Sequence, residues 1–120
     1  MTLATDEPRD TLLPNGLRVV VEPMPWLPTL SAVLQLPIGA VSDPEGARGA
    51  AVVLHEWLQR GAGGRDARAQ ADALDRYGVR RGDGCGRETA TLSAAFLAQD
   101  VADVLPLLAD AVRAPSLADA

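Results

Sequence analysis

The chain has 120 residues and a formal net charge of −5, and 48% of its residues are hydrophobic but only 3% aromatic. This length allows one domain at most, and the acidic balance argues against a nucleic-acid partner, which needs a basic surface. No apolar run approaches the roughly 20 residues that span a bilayer, so we expect no membrane partner.

The N-terminal ten residues, MTLATDEPRD, are polar and acidic. We therefore predict a tail over residues 1–9 with no signal peptide, and a cytoplasmic chain by default. The single cysteine, Cys85, excludes an internal disulfide and leaves the redox compartment open.

Asn15-Gly16 lies between the apolar runs Thr11–Leu13 and Leu17–Glu22, which predicts a β-hairpin. Alternate residues of its second strand, from Leu17 to Val21, indicate one buried side. A proline-rich connection over residues 23–28 follows. The next strand, Thr29–Pro37, is apolar at most positions, so we predict a central strand covered on both faces.

The segment Gly49–Gly61, GAAVVLHEWLQRG, predicts a helix of about three turns. A helix-start signal precedes it at Ser42-Asp43-Pro44-Glu45. One side of this helix should face a core, because it gathers Ala50, Leu54, Trp57 and Leu58. The other side should face solvent or a cleft, and it gathers Val52, His55, Glu56 and Gln59.

The second half of the chain predicts a helix over Arg65–Tyr77, strands over Val79–Cys85 and Glu88–Phe96, and a helix over Asp100–Arg113. Glycines 82, 84 and 86 lack the strand–turn–helix context of a phosphate loop and indicate a turn or bulge. The resulting order β-β-α-α-β-β-α favours an α+β fold, with helices packed on one face of an antiparallel or mixed sheet.

A helix face with a histidine and a glutamate raises the question of a metal site. Zinc usually needs three or four protein donors, commonly with at least two histidines or cysteines. This chain has one histidine, His55, and one cysteine. His55 and Glu56 are adjacent, so they point about 100° apart and chelate one ion poorly. We therefore expect no metal, no cofactor and no catalytic residue within this chain.

Three stretches, Leu13–Pro25, Gly39–Gly63 and Leu107–Pro115, resemble the start of the pitrilysin/insulinase family of zinc peptidases. The resemblance covers about residues 11–117 and implies that residues 10–120 form part of an N-terminal peptidase domain. That family carries the inverted zinc motif H-x-x-E-H on a helix opened by small residues.

Alignment of the small residues from Gly49 onward places Val52 at the first histidine of that motif, His55 at its glutamate and Glu56 at its second histidine. All three chemical positions are changed. The family's third zinc ligand, a further glutamate, would fall beyond Ala120. The resemblance thus implies the scaffold of a zinc peptidase with a degenerate metal motif.

Our first hypothesis is a non-catalytic homologue, either a partner or scaffold subunit or a truncated fragment, that shapes a peptide-binding chamber. The strand with Thr89, Thr91 and Ser93 lies where the family presents an edge to an extended peptide. The expected partner is a homologous peptidase subunit or a second copy of the chain.

One alternative is an active zinc metalloendopeptidase whose altered motif is completed by another chain. The other is a binding module unrelated to peptidases, with Trp26 as an exposed anchor and Trp57 in the core.

Overall fold

The computed structural model describes residues 7–117. Its elements are β1 (Arg9–Leu12), β2 (Arg18–Val21), β3 (Thr29–Leu36), α1 (Ala50–Leu58), β4 (Gly61–Ala62), β5 (Arg65–Asp66), α2 (Ala67–Asp75), β6 (Arg80–Cys85), β7 (Ala90–Leu97) and α3 (Val101–Arg113). The predicted elements and their order are confirmed, including the hairpin that β1 and β2 form, and the short β4–β5 hairpin is additional. Residues 1–6 of the predicted tail lie outside the described residues, and Arg9 already begins a strand. No helix within residues 7–117 is long and apolar enough to cross a bilayer.

The main sheet is antiparallel, with the strand order β3-β7-β6. Residues that pair across it share a face, so Asp83 on β6, Leu92 on β7 and Leu34 on β3 project to the same side. Phe96 projects to this side too and packs with Leu74 of α2 and Val104 of α3. Helix α1 reaches the same side through Asp83. The three helices therefore cover one face of the sheet, which confirms the predicted α+β architecture.

The core lies between this sheet face and helices α2 and α3. Val104 is fully buried, and Leu74 and Phe96 are 2% and 4% exposed. Leu107 and Leu108 of α3 pack against this cluster. Leu105 of α3 is 50% exposed, because it lies about 100° around the helix from Val104.

Strand β3 is not the doubly covered central strand that its composition suggests. Within residues 7–117 it pairs only with β7, and its burial alternates along its length, with Val33 61% exposed. The prediction fails because helices cover only one face of this sheet.

The β1–β2 hairpin forms a separate two-stranded sheet, in register from Arg9↔Val21 to Leu12↔Arg18. Arg18 Nε donates to Asp10 Oδ1 at 3.0 Å, and this hydrogen bond holds the pKa of the Asp10 carboxyl below its ordinary value. The expected buried side of β2 is not present within the described residues, since Val21 is 48% exposed. The two strands pack chiefly against each other.

A polar network ties the loop after α1 to α2 and α3. The Arg65 guanidinium donates to Gln70 Oε1 at 2.6 Å and to Asp110 Oδ2 at 2.7 Å. Gln70 is 5% exposed, and its amide donates to the Leu107 carbonyl at 2.9 Å. Gly63, with φ of 59°, packs so closely on Asp110 that a Cβ would meet its Oδ2. These contacts fix the position at which the chain leaves α1.

Substitution Phe96→Ala should destabilise the chain by about 3–5 kcal/mol, because it removes a buried aromatic side chain from the core and leaves a cavity. Leu97→Ala is the matched control, since Leu97 is 44% exposed on the opposite face; it should cost no more than about 1 kcal/mol. Urea denaturation followed by circular dichroism measures both changes. Equal losses would contradict the assignment of the core face.

Candidate functional site

Helix α1 is held at its N-terminus by a carboxylate from the preceding loop. Asp43 Oδ2 accepts the backbone N–H of Gly49 at 2.6 Å, and Asp43 Oδ1 accepts that of Ala51 at 2.8 Å. A helix begins with free N–H groups and a partial positive charge, so the carboxylate is well matched to this end. Gly49 has φ of 93°, a conformation that glycine adopts without strain. The predicted helix-start signal therefore supplies the cap, although α1 begins only at Ala50.

The side of α1 that faces the sheet is not the predicted one. The buried residues are Ala51, His55 and Leu58, which share a helix face at the spacing i, i+4, i+7. Leu54 and Trp57 were expected in the core but are 37% and 39% exposed. The helix is rotated about its axis so that its histidine faces inward. Within residues 7–117 the exposed apolar side has no element packed over it that buries it.

His55 is the only residue of α1 with a side-chain hydrogen bond to the sheet. It is 3% exposed, and its Nε2 lies 2.9 Å from Asp83 Oδ2 on β6. A carboxylate only accepts hydrogen bonds, so Nε2 carries the proton and donates. Nδ1 is buried with no hydrogen-bond partner among the described residues. The expectation that His55 faces solvent or a cleft is therefore wrong, and the imidazole instead links α1 to β6.

The other two positions of the degenerate motif lie on the outer surface of α1. Val52 is 46% exposed and has no donor atom. Glu56 is exposed and has no hydrogen bond or ion pair within the described residues. Val52, His55 and Glu56 therefore do not converge on a common point.

The predicted peptide edge is also placed differently. β7 lies between β3 and β6, so Thr91 pairs with both Gln35 and Gly84, and Ser93 with both Val33 and Gly82. Thr89 lies before the strand begins. The backbone of β7 is therefore occupied on both sides, and the prediction that it offers an edge to a peptide is wrong for the described residues. Among residues 7–117, the strands with an unpaired edge in this sheet are β3 and β6.

No protein-family model matches the sequence, and no curated protein matches it significantly. Solved structures do match. A peptidase M16 inactive domain from Pseudomonas fluorescens matches 93% of this chain with a TM-score of 0.85 and 24% identity. A protease from Helicobacter pylori matches 94% of it with a TM-score of 0.84 and 17% identity. In both cases this chain spans 27% of the length of the solved chain.

The chain has the fold of part of a peptidase M16 domain. The expected similarity to pitrilysin-type peptidases is thereby confirmed at the level of the fold. The identities are too low to carry activity from either solved protein to this one.

The residues present do not fit the zinc ion that M16 peptidases imply. Zinc sites use nitrogen, sulfur or oxygen donors in tetrahedral arrangement. Val52 supplies none, the Nε2 of His55 is used by Asp83, and Glu56 points elsewhere. Within residues 7–117 no group of three histidine, cysteine or acidic side chains comes together. No catalytic step through a metal is therefore derived for this chain.

Two acidic residues that contact α1, Asp83 and Asp43, are not indicated as site residues by the sequence pattern. Asp83 lies in the segment GDGCGR, which was interpreted only as a turn or bulge between strands. The alternation of Arg81, Asp83 and Cys85 along β6 predicts that they share one strand face. It does not predict the contact of Asp83 with His55, which lies 28 residues earlier in the chain. Asp43 was part of a recognised helix-start signal, yet its two-atom contact with α1 requires the loop conformation.

Substitution His55→Ala should destabilise the chain by about 2–4 kcal/mol, because it empties a buried volume and removes a charge-assisted hydrogen bond. Glu56→Ala, next to it on the exposed side, should change stability by no more than about 0.5 kcal/mol. Thermal or urea denaturation measures both variants. An effect of Glu56→Ala as large as that of His55→Ala would contradict the orientation of α1.

Proposed function

We propose that this chain is a non-catalytic homologue of M16 peptidases that serves as a partner or scaffold subunit and presents a surface to extended peptides. The observation that carries the proposal is the placement of His55. The one imidazole of the chain is buried against Asp83, and the two flanking motif positions hold a valine and a solvent-exposed glutamate. The similarity to an inactive M16 domain supports the same reading.

The peptide would bind along the open edge of β6. An exposed strand edge presents unpaired backbone N–H and C=O groups that an added strand can use. Two of the six residues of β6 are glycines, and a side chain at Gly84 would meet no atom within 4 Å. A second backbone can therefore approach this edge without steric hindrance from that position.

Arginines surround this edge in an otherwise acidic chain. Arg80 and Arg81 are exposed on β6, and Arg87 is exposed in the turn that follows it. Because opposite charges attract at partly desolvated interfaces, we propose that peptides with acidic side chains bind better than basic ones.

The proposed partner is a homologous M16-like chain or a second copy of this one. Val53, Leu54 and Trp57 form an exposed apolar side of α1, and Val33 is exposed on β3. Val33 lies on the sheet face away from the helices, whereas the three residues of α1 lie side by side on one helix face. Exposed apolar patches such as the one on α1 mark interaction sites in proteins. Burial of Trp57 by a partner would supply the aromatic anchor typical of protein interfaces.

The purified chain should hydrolyse no unstructured peptide, with or without added zinc, because no donor set for the metal comes together within residues 7–117. Mass spectrometry of a peptide mixture after incubation measures cleavage. The chain with His55→Gln is the control for trace contaminating peptidase. Cleavage by the wild-type chain that His55→Gln abolishes would reject the proposal; cleavage retained in both preparations would identify a contaminant.

An acidic fluorescent peptide should bind the chain, and Cys85→Pro should weaken binding at least about tenfold, since proline removes an N–H from the open edge of β6. Backbone N–H groups alternate in direction along the strand; because the Gly86 N–H donates to Thr89 across the hairpin, the N–H of Cys85 points away from β7. Cys85→Ala is the matched control, since it also removes the thiol but keeps the backbone N–H at this position. Fluorescence anisotropy measures the dissociation constants. A second peptide, N-methylated at alternate residues, should also lose binding. Equal affinity of both peptides would show that no strand is added.

A further inference from the structure

The contact between His55 and Asp83 has a consequence for which residues this fold accepts at position 55. The imidazole Nε2 donates to Asp83 Oδ2 at 2.9 Å from a side chain that is only 3% exposed. Asp83 itself is 43% exposed, so its carboxylate stays solvated on one side while it accepts from His55 on the other. The position therefore requires a hydrogen-bond donor in a buried place.

We infer that Asp83 is a positioning residue that makes this fold incompatible with a carboxylate at position 55. His55 and Asp83 are therefore a matched pair. The loss of the catalytic glutamate is then fixed by a residue on β6 as well as by the sequence of α1. This inference rests on the proposed non-catalytic function. A glutamate at position 55 would be the general base of the inverted zinc motif that the sequence resembles. In this fold its carboxylate would face the carboxylate of Asp83 at hydrogen-bond distance, with neither able to donate.

The surroundings offer little compensation for such a pair. Arg81 and Cys85 share the helix-facing side of β6 with Asp83, since residues two apart on a strand project to one side. Arg81 is exposed. The 3₁₀ turn Ala40–Ser42 and strand β4, which also contact α1, contain no titratable side chain. On α1 itself, Glu56 is exposed and adds further negative charge. Arg81 is thus the only cation on this side of β6.

The arrangement also explains the buried Nδ1 of His55, which has no partner among the described residues. In the tautomer with its proton on Nε2, Nδ1 holds a lone pair and no proton. A lone pair without a partner in the interior is tolerated more often than an orphaned N–H. The hydrogen bond to Asp83 therefore selects the tautomer as well as the direction in which the ring points.

The test is a double-mutant cycle in the full chain, followed by urea denaturation at about pH 7. His55→Glu should reduce the folding equilibrium constant at least about 100-fold, because it leaves an uncompensated buried charge. The effect of Asp83→Asn on the free energy of unfolding should have opposite signs in the wild-type chain and in the His55→Glu variant. Alone it weakens the acceptor and lowers stability; combined with His55→Glu it supplies an amide donor and should raise the folding constant at least about tenfold. Failure of Asp83→Asn to restore folding of His55→Glu would overturn the inference.

A pH profile separates this charge effect from loss of packing. Opposed carboxylates raise the pKa of one another in the folded chain above the unfolded value, so protonation favours the folded state. His55→Glu should therefore gain stability as the pH falls from about 7 to about 4.5. The double variant His55→Glu/Asp83→Asn should gain markedly less stability over the same pH range. Identical pH profiles for the two variants, or a stable His55→Glu chain with Arg81 required for its stability, would contradict the assignment.

Two further measurements address the donor itself. His55→Gln keeps an N–H donor and should retain more stability than His55→Leu, which keeps only volume; the reverse order would overturn the inference. Nitrogen NMR of the imidazole should show the proton on Nε2 in the wild-type chain, with a hydrogen-bond shift of that N–H that Asp83→Ala removes. Peptide hydrolysis by the wild-type chain would reject the proposed function but leave the coupling between positions 55 and 83 intact.

Discussion

The arrangement of this chain depends on one interior contact, in which an imidazole from α1 donates to a carboxylate on β6. The contact sets the rotation of α1 about its axis, since His55 can reach Asp83 only when Ala51 and Leu58 also face inward. That rotation places Val52 and Glu56 on the outer surface. The same hydrogen bond therefore organises the packing of the helix and separates the three residues that a metal site would need to bring together.

The helix ends are fixed by separate polar contacts. Asp43 accepts N–H groups at the start of α1. Arg65, with Gln70 and Asp110, holds the loop after α1 against α2 and α3. All of these are hydrogen bonds to a charged group, and the one from Arg65 to Asp110 joins residues 45 apart in sequence. A helix of nine residues has little stability of its own, so such contacts and the sheet beneath it give α1 a defined position.

The apolar surface left open is as informative as the core. β3 exposes Val33 on the side that faces away from the helices, and α1 exposes Leu54 and Trp57. The described residues correspond to about a quarter of the length of the M16 chains that share the fold. Hydrophobicity alone predicts that such residues are buried. It does not identify which element of the structure would bury them.

Much of the architecture was predictable from the sequence. Hydrophobic periodicity, the Asn15-Gly16 turn and the glycines after α1 located the helices and strands, and the count of histidines and cysteines predicted that no ordinary zinc site could form. These properties are local or additive, so the sequence alone determines them. Helical spacing sets the angles between His55, Leu54 and Trp57, yet it leaves the rotation of the helix against its neighbours free. Only the tertiary structure decided that rotation, because it depends on Asp83, 28 residues away. It also decided that β7 lies in the centre of the sheet, since strand order arises from long-range pairing that no local pattern records.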